Sequence, residues 1–151
     1  MTTRFAFCLV AVLLAASAFA VKRGQAKFVG GSITTIAEDA EGPIDLTHDK
    51  RLTFLPKNNT MLEIPWDRVS QLEYGQKVTR RKKTVLLSKS RKHYVTITYQ
   101  DAGKREQAVV LEFDHDDIRI VLATLKARTL QTVVFQDEEA KKEMGGVVEK
   151  K

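Results

Sequence analysis

The sequence predicts a mainly β domain of the α+β class, built as a bent antiparallel sheet with one C-terminal amphipathic helix. A hairpin is the first observation behind this prediction. Residues 94–99 and 107–113 alternate apolar and polar side chains around a turn that contains Gly103, and such alternation is typical of paired strands. The second observation is the stretch 115–128, whose apolar residues recur at helical spacing, namely Ile118, Val121, Leu122 and Leu125.

The other predicted elements are short strands before and after this hairpin and helix. Strand composition marks residues 32–36, 44–46, 51–55, 61–64, 69–74 and 133–135. Gly42-Pro43 and the run 56–59 are predicted turns between the earlier strands. In the hairpin turn we expect a positive φ at Gly103, and we expect Asp114 to cap the helix.

Residues 1–20 have the three parts of a secretory signal peptide. Arg4 makes the first part positive, an apolar core covers residues 5–14, and Ala18-Phe19-Ala20 supplies the small residues that a signal peptidase reads. The core is shorter than the roughly 20 residues of a membrane-spanning helix, which favours cleavage over anchoring. We therefore expect an exported protein, periplasmic or extracellular, that begins near Val21.

The rest of the chain is long enough for one domain with a single core. The sequence predicts a flexible, glycine-containing lead-in over residues 21–30, a folded domain over residues 31–136 and a charged, frayed tail over residues 137–151. Cys8 is the only cysteine and lies inside the expected signal peptide. An exported chain without it has no disulfide, no thiolate metal site and no cysteine nucleophile.

Positive charge is concentrated in one part of the chain. The net charge is +6, and no Asp or Glu occurs between Tyr74 and Gln100. The cations of this window are Lys77, Arg80, Arg81, Lys82, Lys83, Lys89, Arg91 and Lys92. Residues 77–83 and 88–92 are predicted to be two charged turns around a short strand over residues 84–87. Together they would present one positive patch to an anionic partner.

Two interpretations of this basic segment remain open. In one it binds an anionic membrane surface or protein, with Trp66, Tyr74 and Tyr94 as flanking aromatic residues. In the other it is a solvated edge hairpin whose lysines prevent edge-to-edge aggregation, and Trp66 is a core residue at a strand end. Nucleic acid would suit the charge, since Tyr94 could stack on a base, but the expected export disfavours that partner.

Three segments form a pattern of strand, L-x-F strand and proline-containing corner, namely residues 42–46, 51–54 and 62–73. This pattern resembles the GRAM branch of the pleckstrin-homology superfamily. The chain also resembles small exported bacterial proteins of unknown function in which a Glu-Tyr-Gly-Gln segment, here residues 73–76, precedes a basic stretch. The resemblance implies a pleckstrin-homology-like bent sheet or barrel over roughly residues 30–135, with the helix closing one end. Lipid-binding pleckstrin domains hold phosphoinositides with basic residues of their first hairpin loop. The basic run of this chain lies in its middle instead, so the resemblance assigns no binding residues here.

The sequence contains no catalytic or metal-binding motif. Its histidines, His48, His93 and His115, lie in different predicted elements without the spacing of a metal-binding pair. Asp116 and Asp117 suit the start of a helix, and no nucleophile elbow, phosphate loop or zinc-protease motif occurs. We therefore expect no catalytic residues, no metal and no cofactor. A small hydrolase whose site is assembled only in three dimensions is a third alternative.

These observations favour a non-enzymatic exported binding module. Its basic residues would face an anionic partner of the cell envelope, which could be a lipid, an acidic polymer or a protein. The alternative is a structural or protein–protein interaction domain of the envelope without a charged ligand. Such a domain would hold a peptide on its sheet or at an exposed edge strand.

Overall fold

The computed structural model describes residues 24–57, 60–83 and 86–148, and for residues 78–83, 86–90 and 147–148 it describes the backbone alone. The expected signal peptide lies outside these residues, as do positions 58–59 and 84–85. The described chain forms eight strands and two α-helices: β1 (Gly24–Gly31), β2 (Glu41–Asp45), β3 (Arg51–Phe54), β4 (Leu62–Pro65), β5 (Val69–Lys83), β6 (Leu86–Gln100), β7 (Glu106–Phe113), α1 (His115–Thr129), β8 (Val133–Phe135) and α2 (Glu138–Val148).

All eight strands belong to one sheet with the order β4-β3-β2-β1-β7-β6-β5-β8. Neighbouring strands are antiparallel, apart from β8, which runs parallel to β5. Strand β1 lies between β2 and β7. It therefore connects two sets of consecutive antiparallel strands, β2–β4 on one side and β5–β7 on the other. The prediction of a mainly β domain is therefore confirmed, as one open mixed sheet with two helices.

The predicted hairpin and the first helix are confirmed. Strands β6 and β7 pair with Val95 opposite Leu111, and both residues are fully buried. Helix α1 buries the four predicted apolar residues, which pack into the same core cluster as the sheet residues. Asp114 stands at the N-cap position, although its side chain makes no capping hydrogen bond. Among the described residues, no helix has the length and apolar composition needed to cross a bilayer.

The predicted flexible lead-in is wrong over residues 24–30, which form most of the central strand β1. Ala26 and Phe28 point into the core, so burial outweighs the weak strand preference of the surrounding glycines. Gly31 ends the strand with φ 146°, and a Cβ there would clash with the Ala108 carbonyl of β7. The strand predicted over residues 32–36 is an irregular segment instead.

The turn predicted at Gly42-Pro43 is also wrong, because both residues lie inside β2. The chain after β3 passes so closely that a Cβ on residue 42 would overlap the backbone of Leu55 and Pro56. The Pro43 carbonyl accepts a hydrogen bond from the Leu55 amide at 3.0 Å. The glycine at position 42 therefore allows two backbone segments to approach closely, where the local sequence had predicted a turn.

The predicted frayed tail is wrong over residues 138–148, which form α2. The Asp137 carboxylate accepts a hydrogen bond from the Ala140 amide at 2.7 Å, which caps the start of the helix. Ala140 and Met144, one helical turn apart, are fully buried. The tail is ordered because this narrow apolar stripe packs against α1 and the sheet.

The β6–β7 turn is organised by Asp101. Its carboxylate accepts hydrogen bonds from the Gly103 amide at 2.8 Å and the Arg105 amide at 3.0 Å. Hydrogen bonds from the Arg105 backbone lower the pKa of Asp101. The residue with a positive φ is Lys104, at 61°, and not Gly103 as predicted. The hydrogen bonds to Asp101 hold the turn, and its left-handed residue lies one position later than predicted.

Candidate functional site

Strands β5 and β6 continue together beyond the rest of the sheet. Strand β8 pairs with β5 only over residues 72–74, and β7 pairs with β6 only over residues 93–100. The β5–β6 ladder nevertheless continues to the pair Lys83 and Leu86. We call residues 75–83 and 86–92 the basic ribbon. The seven residues 86–92 correspond to roughly 23 Å at about 3.3 Å per residue.

The prediction of two charged turns around a strand over residues 84–87 is wrong. Residues 77–83 belong to β5, and residues 88–92 belong to β6. Positions 84–85, where a strand centre was predicted, lie outside the described residues. An antiparallel ladder is held by main-chain hydrogen bonds, so a run of lysines and arginines can continue a strand that apolar residues began.

The basic positions are distributed over both faces of the ribbon. In the ladder Lys77 is opposite Lys92, and Arg80 is opposite Lys89. Since strand residues alternate between faces, positions 80, 82, 89 and 91 share the face of Tyr74, and positions 77, 81, 83 and 92 share the other. Four predicted cations thus belong to each face, so the basic positions are divided between the two faces of the ribbon and do not share one.

At the base of the ribbon, acidic residues of other elements neutralise two of the cations. Arg91 donates from Nη1 to Oε1 of Glu143 on α2 at 2.7 Å. Lys92 donates from Nζ to Glu112 on β7 at 2.8 and 3.1 Å. Lys77 is exposed. The cations farther along the ribbon, which are Arg80, Arg81, Lys82, Lys83 and Lys89, have no acidic residue near them in sequence.

The three aromatic residues predicted to flank the basic segment have different surroundings. Trp66 is 5% exposed, and its Nε1 donates to the His48 carbonyl at 2.9 Å, which confirms the core interpretation. Tyr74 is fully buried, so its prediction as a surface aromatic is wrong, and burial raises its pKa to about 12. Tyr94 is half-buried on the same face of β6 as Lys92, and burial raises its pKa as well.

A hydrogen-bonded chain of three side chains lies where the ribbon meets the core. The Tyr74 hydroxyl is 2.7 Å from Nδ1 of His93, and Nε2 of His93 is 3.2 Å from Nδ1 of His115. His93 is fully buried. Burial lowers its pKa first, and the neighbouring His115 lowers it further. Sequence analysis missed this meeting of two histidines, since β6 and α1 are brought together only by the fold.

The histidine chain lacks the surroundings of a metal centre. Within the described residues, no three side chains of the types His, Cys, Asp and Glu form a group that could hold a metal ion. Both ring nitrogens of His93 are already within hydrogen-bond distance of Tyr74 or His115. The arrangement is therefore best explained as a way of satisfying a buried imidazole.

Two clefts in the described structure are lined by charges of both signs. One, of about 570 Å³, lies between the ribbon base and α2 and is lined by Arg91, Glu138, Glu139, Lys142 and Glu143. The other, of about 190 Å³, is lined by Gln25, Ala26, Lys27, Glu41, Glu112, Phe113 and Asp114. Neither has the uniform positive charge that would concentrate an anion. The basic ribbon is the stronger candidate surface.

No protein-family model and no curated protein matches the chain. The ribbon is the feature of the described structure whose geometry and charge indicate a function. Its two special properties are extension beyond the sheet and the absence of any acidic residue between Tyr74 and Gln100.

Proposed function

We propose that this protein is a non-enzymatic, exported binding module whose basic ribbon attaches to an anionic component of the cell envelope. The observation that carries the proposal is the ribbon itself: a two-stranded extension with eight cations and no acidic residue of its own. A two-stranded hairpin is marginally stable alone in water. A partner that neutralises the positive charge would therefore stabilise an extended ribbon of this kind.

The expected strength of this attachment follows from the number of cations. Each Lys or Arg near an anionic bilayer contributes about 1 kcal/mol, and the contribution decays within a Debye length. Arg80, Arg81, Lys82 and Lys83 lie farther along the ribbon than the ion pairs at its base, and the proposal assigns their charges to the partner. An acidic polymer or an acidic protein surface would be attracted by the same charges.

We further propose that the fold is of the pleckstrin-homology-like, GRAM-like type. The order of seven strands, with β1 joining β2–β4 to β5–β7, supports this proposal, as does a helix directly after β7. Strand β8 and helix α2 are additions to that plan. An experimental structure in which the two sets of strands do not close face to face under α1 would contradict it.

Export through a cleaved signal peptide is part of the same proposal. It predicts that the protein recovered from outside the cytoplasm begins near Val21. Intact mass measurement of that fraction tests the prediction, and a mass that includes residues 1–20 would contradict it. The strand β1 begins at Gly24, so a chain that starts at Val21 keeps every described strand and helix.

Binding assays with the chain from Val21 test the basic ribbon. The charge variant replaces Arg80, Arg81, Lys82 and Lys83 with Gln. Its matched control replaces four exposed cations elsewhere, Lys50, Lys57, Arg68 and Arg119, with Gln. Sedimentation with phosphatidylglycerol-containing vesicles, and titration with polyglutamate, are measured at low and moderate salt.

We expect salt-sensitive binding that the charge variant weakens by about two to three orders of magnitude at low salt, from about 1 kcal/mol for each removed charge. The matched control has the same net charge and should lose far less. An equal loss in both variants would mean that only net charge matters. That result, or no salt-sensitive binding to either probe, would contradict the proposal.

The alternative function, an interaction domain without a charged ligand, is favoured by one specific observation. The sheet has open edges at β4 and β8, and Val134 of β8 is 47% exposed. An exposed strand edge can pair with an extended peptide. Under this alternative the charge variant would bind a protein partner as tightly as the parent chain, and vesicles would compete with neither.

A further inference from the structure

The far end of the basic ribbon carries two adjacent leucines. Leu86 and Leu87 are the first two residues of β6 and are opposite Lys83 and Lys82 in the ladder. Leu86 lies seven residues, and Leu87 six, before His93, the first β6 residue that pairs with β7. At about 3.3 Å per residue this is roughly 20–23 Å beyond the end of β7. These leucines are therefore placed away from the core.

Each leucine has a basic residue as its partner in the ladder. Residues directly opposite each other form the pairs that stabilise an antiparallel sheet, and for both leucines that residue is a lysine. Because neighbours on a strand alternate between faces, one leucine belongs to each face of the ribbon end. No packing of the ribbon against a single flat surface could cover both positions.

A lipid bilayer is the partner that suits this arrangement. Its interior accepts an apolar tip from every side, and its headgroups lie where lysine and arginine residues flank the tip. Polyanions such as acidic polymers attract the cations equally well but offer no apolar interior. The juxtaposition of Leu86 and Leu87 with Lys82 and Lys83 thus distinguishes lipid from the other anionic partners.

We propose that the end of the basic ribbon inserts into an anionic lipid bilayer, with Leu86 and Leu87 entering the acyl region and the neighbouring lysines and arginines remaining at the headgroups. This inference rests on the proposed function, in which the ribbon is the binding surface. It adds the class of partner and the depth of contact.

The test uses the chain from Val21, which has no cysteine. A Ser88→Cys change therefore gives a single site for an environment-sensitive fluorophore beside the leucines. Lys57→Cys, at an exposed position outside the ribbon, gives the reference label. Vesicles contain phosphatidylglycerol, phosphatidylcholine and a lipid with a nitroxide in its acyl chain. We expect quenching of the label at position 88 and none at position 57.

Two double variants separate insertion from charge attraction. Leu86→Ser with Leu87→Ser removes the proposed tip, and Ile120→Ser with Leu130→Ser removes two exposed apolar side chains elsewhere, which are 57% and 88% exposed. The tip variant should lose about tenfold or more in vesicle affinity and should bind polyglutamate as the parent does. The matched control should change neither. Coincident thermal unfolding curves for parent and tip variant would show that the fold is kept.

The possible results distinguish this inference from the proposed function. Unchanged vesicle affinity of the tip variant, or vesicle binding without quenching at position 88, overturns insertion and leaves the basic ribbon as a surface that binds headgroups. Binding to polyglutamate without binding to vesicles overturns lipid as the partner and retains an anionic one. Binding to neither probe overturns both proposals.

Discussion

At the scale of single residues, His93 is a fully buried titratable group in the described core. Four side chains from four elements face it: Tyr74 from β5, Arg91 from β6, His115 from α1 and Glu143 from α2. Burial disfavours the imidazolium form and is the main cause of the lowered pKa. His115 and Arg91 act in the same direction, whereas the carboxylate of Glu143 opposes them.

His93 should therefore make stability depend on pH. Its pKa is lowered from 6.5 in the folded state, so the unfolded chain binds more protons in the range below 6.5. The free energy of unfolding should fall as the pH decreases through 6.5, and the fall should end below the folded pKa. Urea unfolding between neutral and acidic pH measures this slope.

The matched variants for this measurement are His93→Gln and His48→Gln. The first should reduce the slope, and the second, at an exposed position, should retain it. A slope that is the same in the parent and in His93→Gln would assign the pH dependence to other groups.

At the scale of elements, α2 contacts both the core and the base of the ribbon. Its buried residues Ala140 and Met144 face the core, and Glu143 between them holds Arg91 at 2.7 Å. The same helix thus contributes to the core and holds Arg91, which belongs to the Tyr74 face of the ribbon, in an ion pair. The buried amide atoms of Gln76 and Oε2 of Glu143 have no hydrogen-bond partner in the described part of the chain.

Shortening the buried side chain of α2 should destabilise the whole domain. Met144 is fully buried, and Met144→Ala should lower the free energy of unfolding by about 2–4 kcal/mol through lost burial and the cavity left behind. Lys141→Ala, at an exposed position of the same helix, is the control and should change it by less than about 0.5 kcal/mol. Equal effects of the two substitutions in urea unfolding would mean that α2 does not pack as described.

At the scale of the whole molecule, one core joins both sets of strands to both helices. Residues of β1–β4, β5–β7, α1 and α2 belong to a single buried cluster. The central strand β1 pairs with β2 on one side and β7 on the other, so neither half has an independent core. The basic ribbon is the part of the sheet that extends away from this cluster.

A single core predicts a single unfolding transition. Trp66, the only tryptophan, follows β4 in the chain and is buried in the core, so its fluorescence reports on the core around it. Far-ultraviolet circular dichroism reports on all strands and helices. The two signals should have the same midpoint in urea, as expected for a small two-state domain. Separate midpoints would show that the β1–β4 strands unfold independently.

The sequence predicted best the elements whose pattern is local and regular. Two such patterns are confirmed, namely the alternation of Val95, Ile97 and Tyr99 and the apolar stripe on α1. Both are regular because their residues face the same core. β1 was missed because only Ala26 and Phe28 carry its buried face, among three glycines and a lysine. Likewise α2 was missed because two buried residues make a stripe too narrow to recognise.

The basic segment is where prediction succeeded in composition and failed in geometry. The sequence by itself determined which eight residues carry the positive charge and that no acidic residue interrupts them. Only the tertiary structure decided that they continue two paired strands, because the ladder that holds them is formed by backbone groups and begins in the adjoining apolar parts of β5 and β6.

The sequence alone therefore determined the β-rich class, the hairpin, the first helix and the charge of the candidate surface. The tertiary structure decided the central place of β1, the order of α2, the meeting of His93 with His115 and the division of the cations between two faces. The physical reason is common to all four. Periodicity records which face of an element is buried, whereas the partner that buries it is chosen by contacts between segments far apart in the chain.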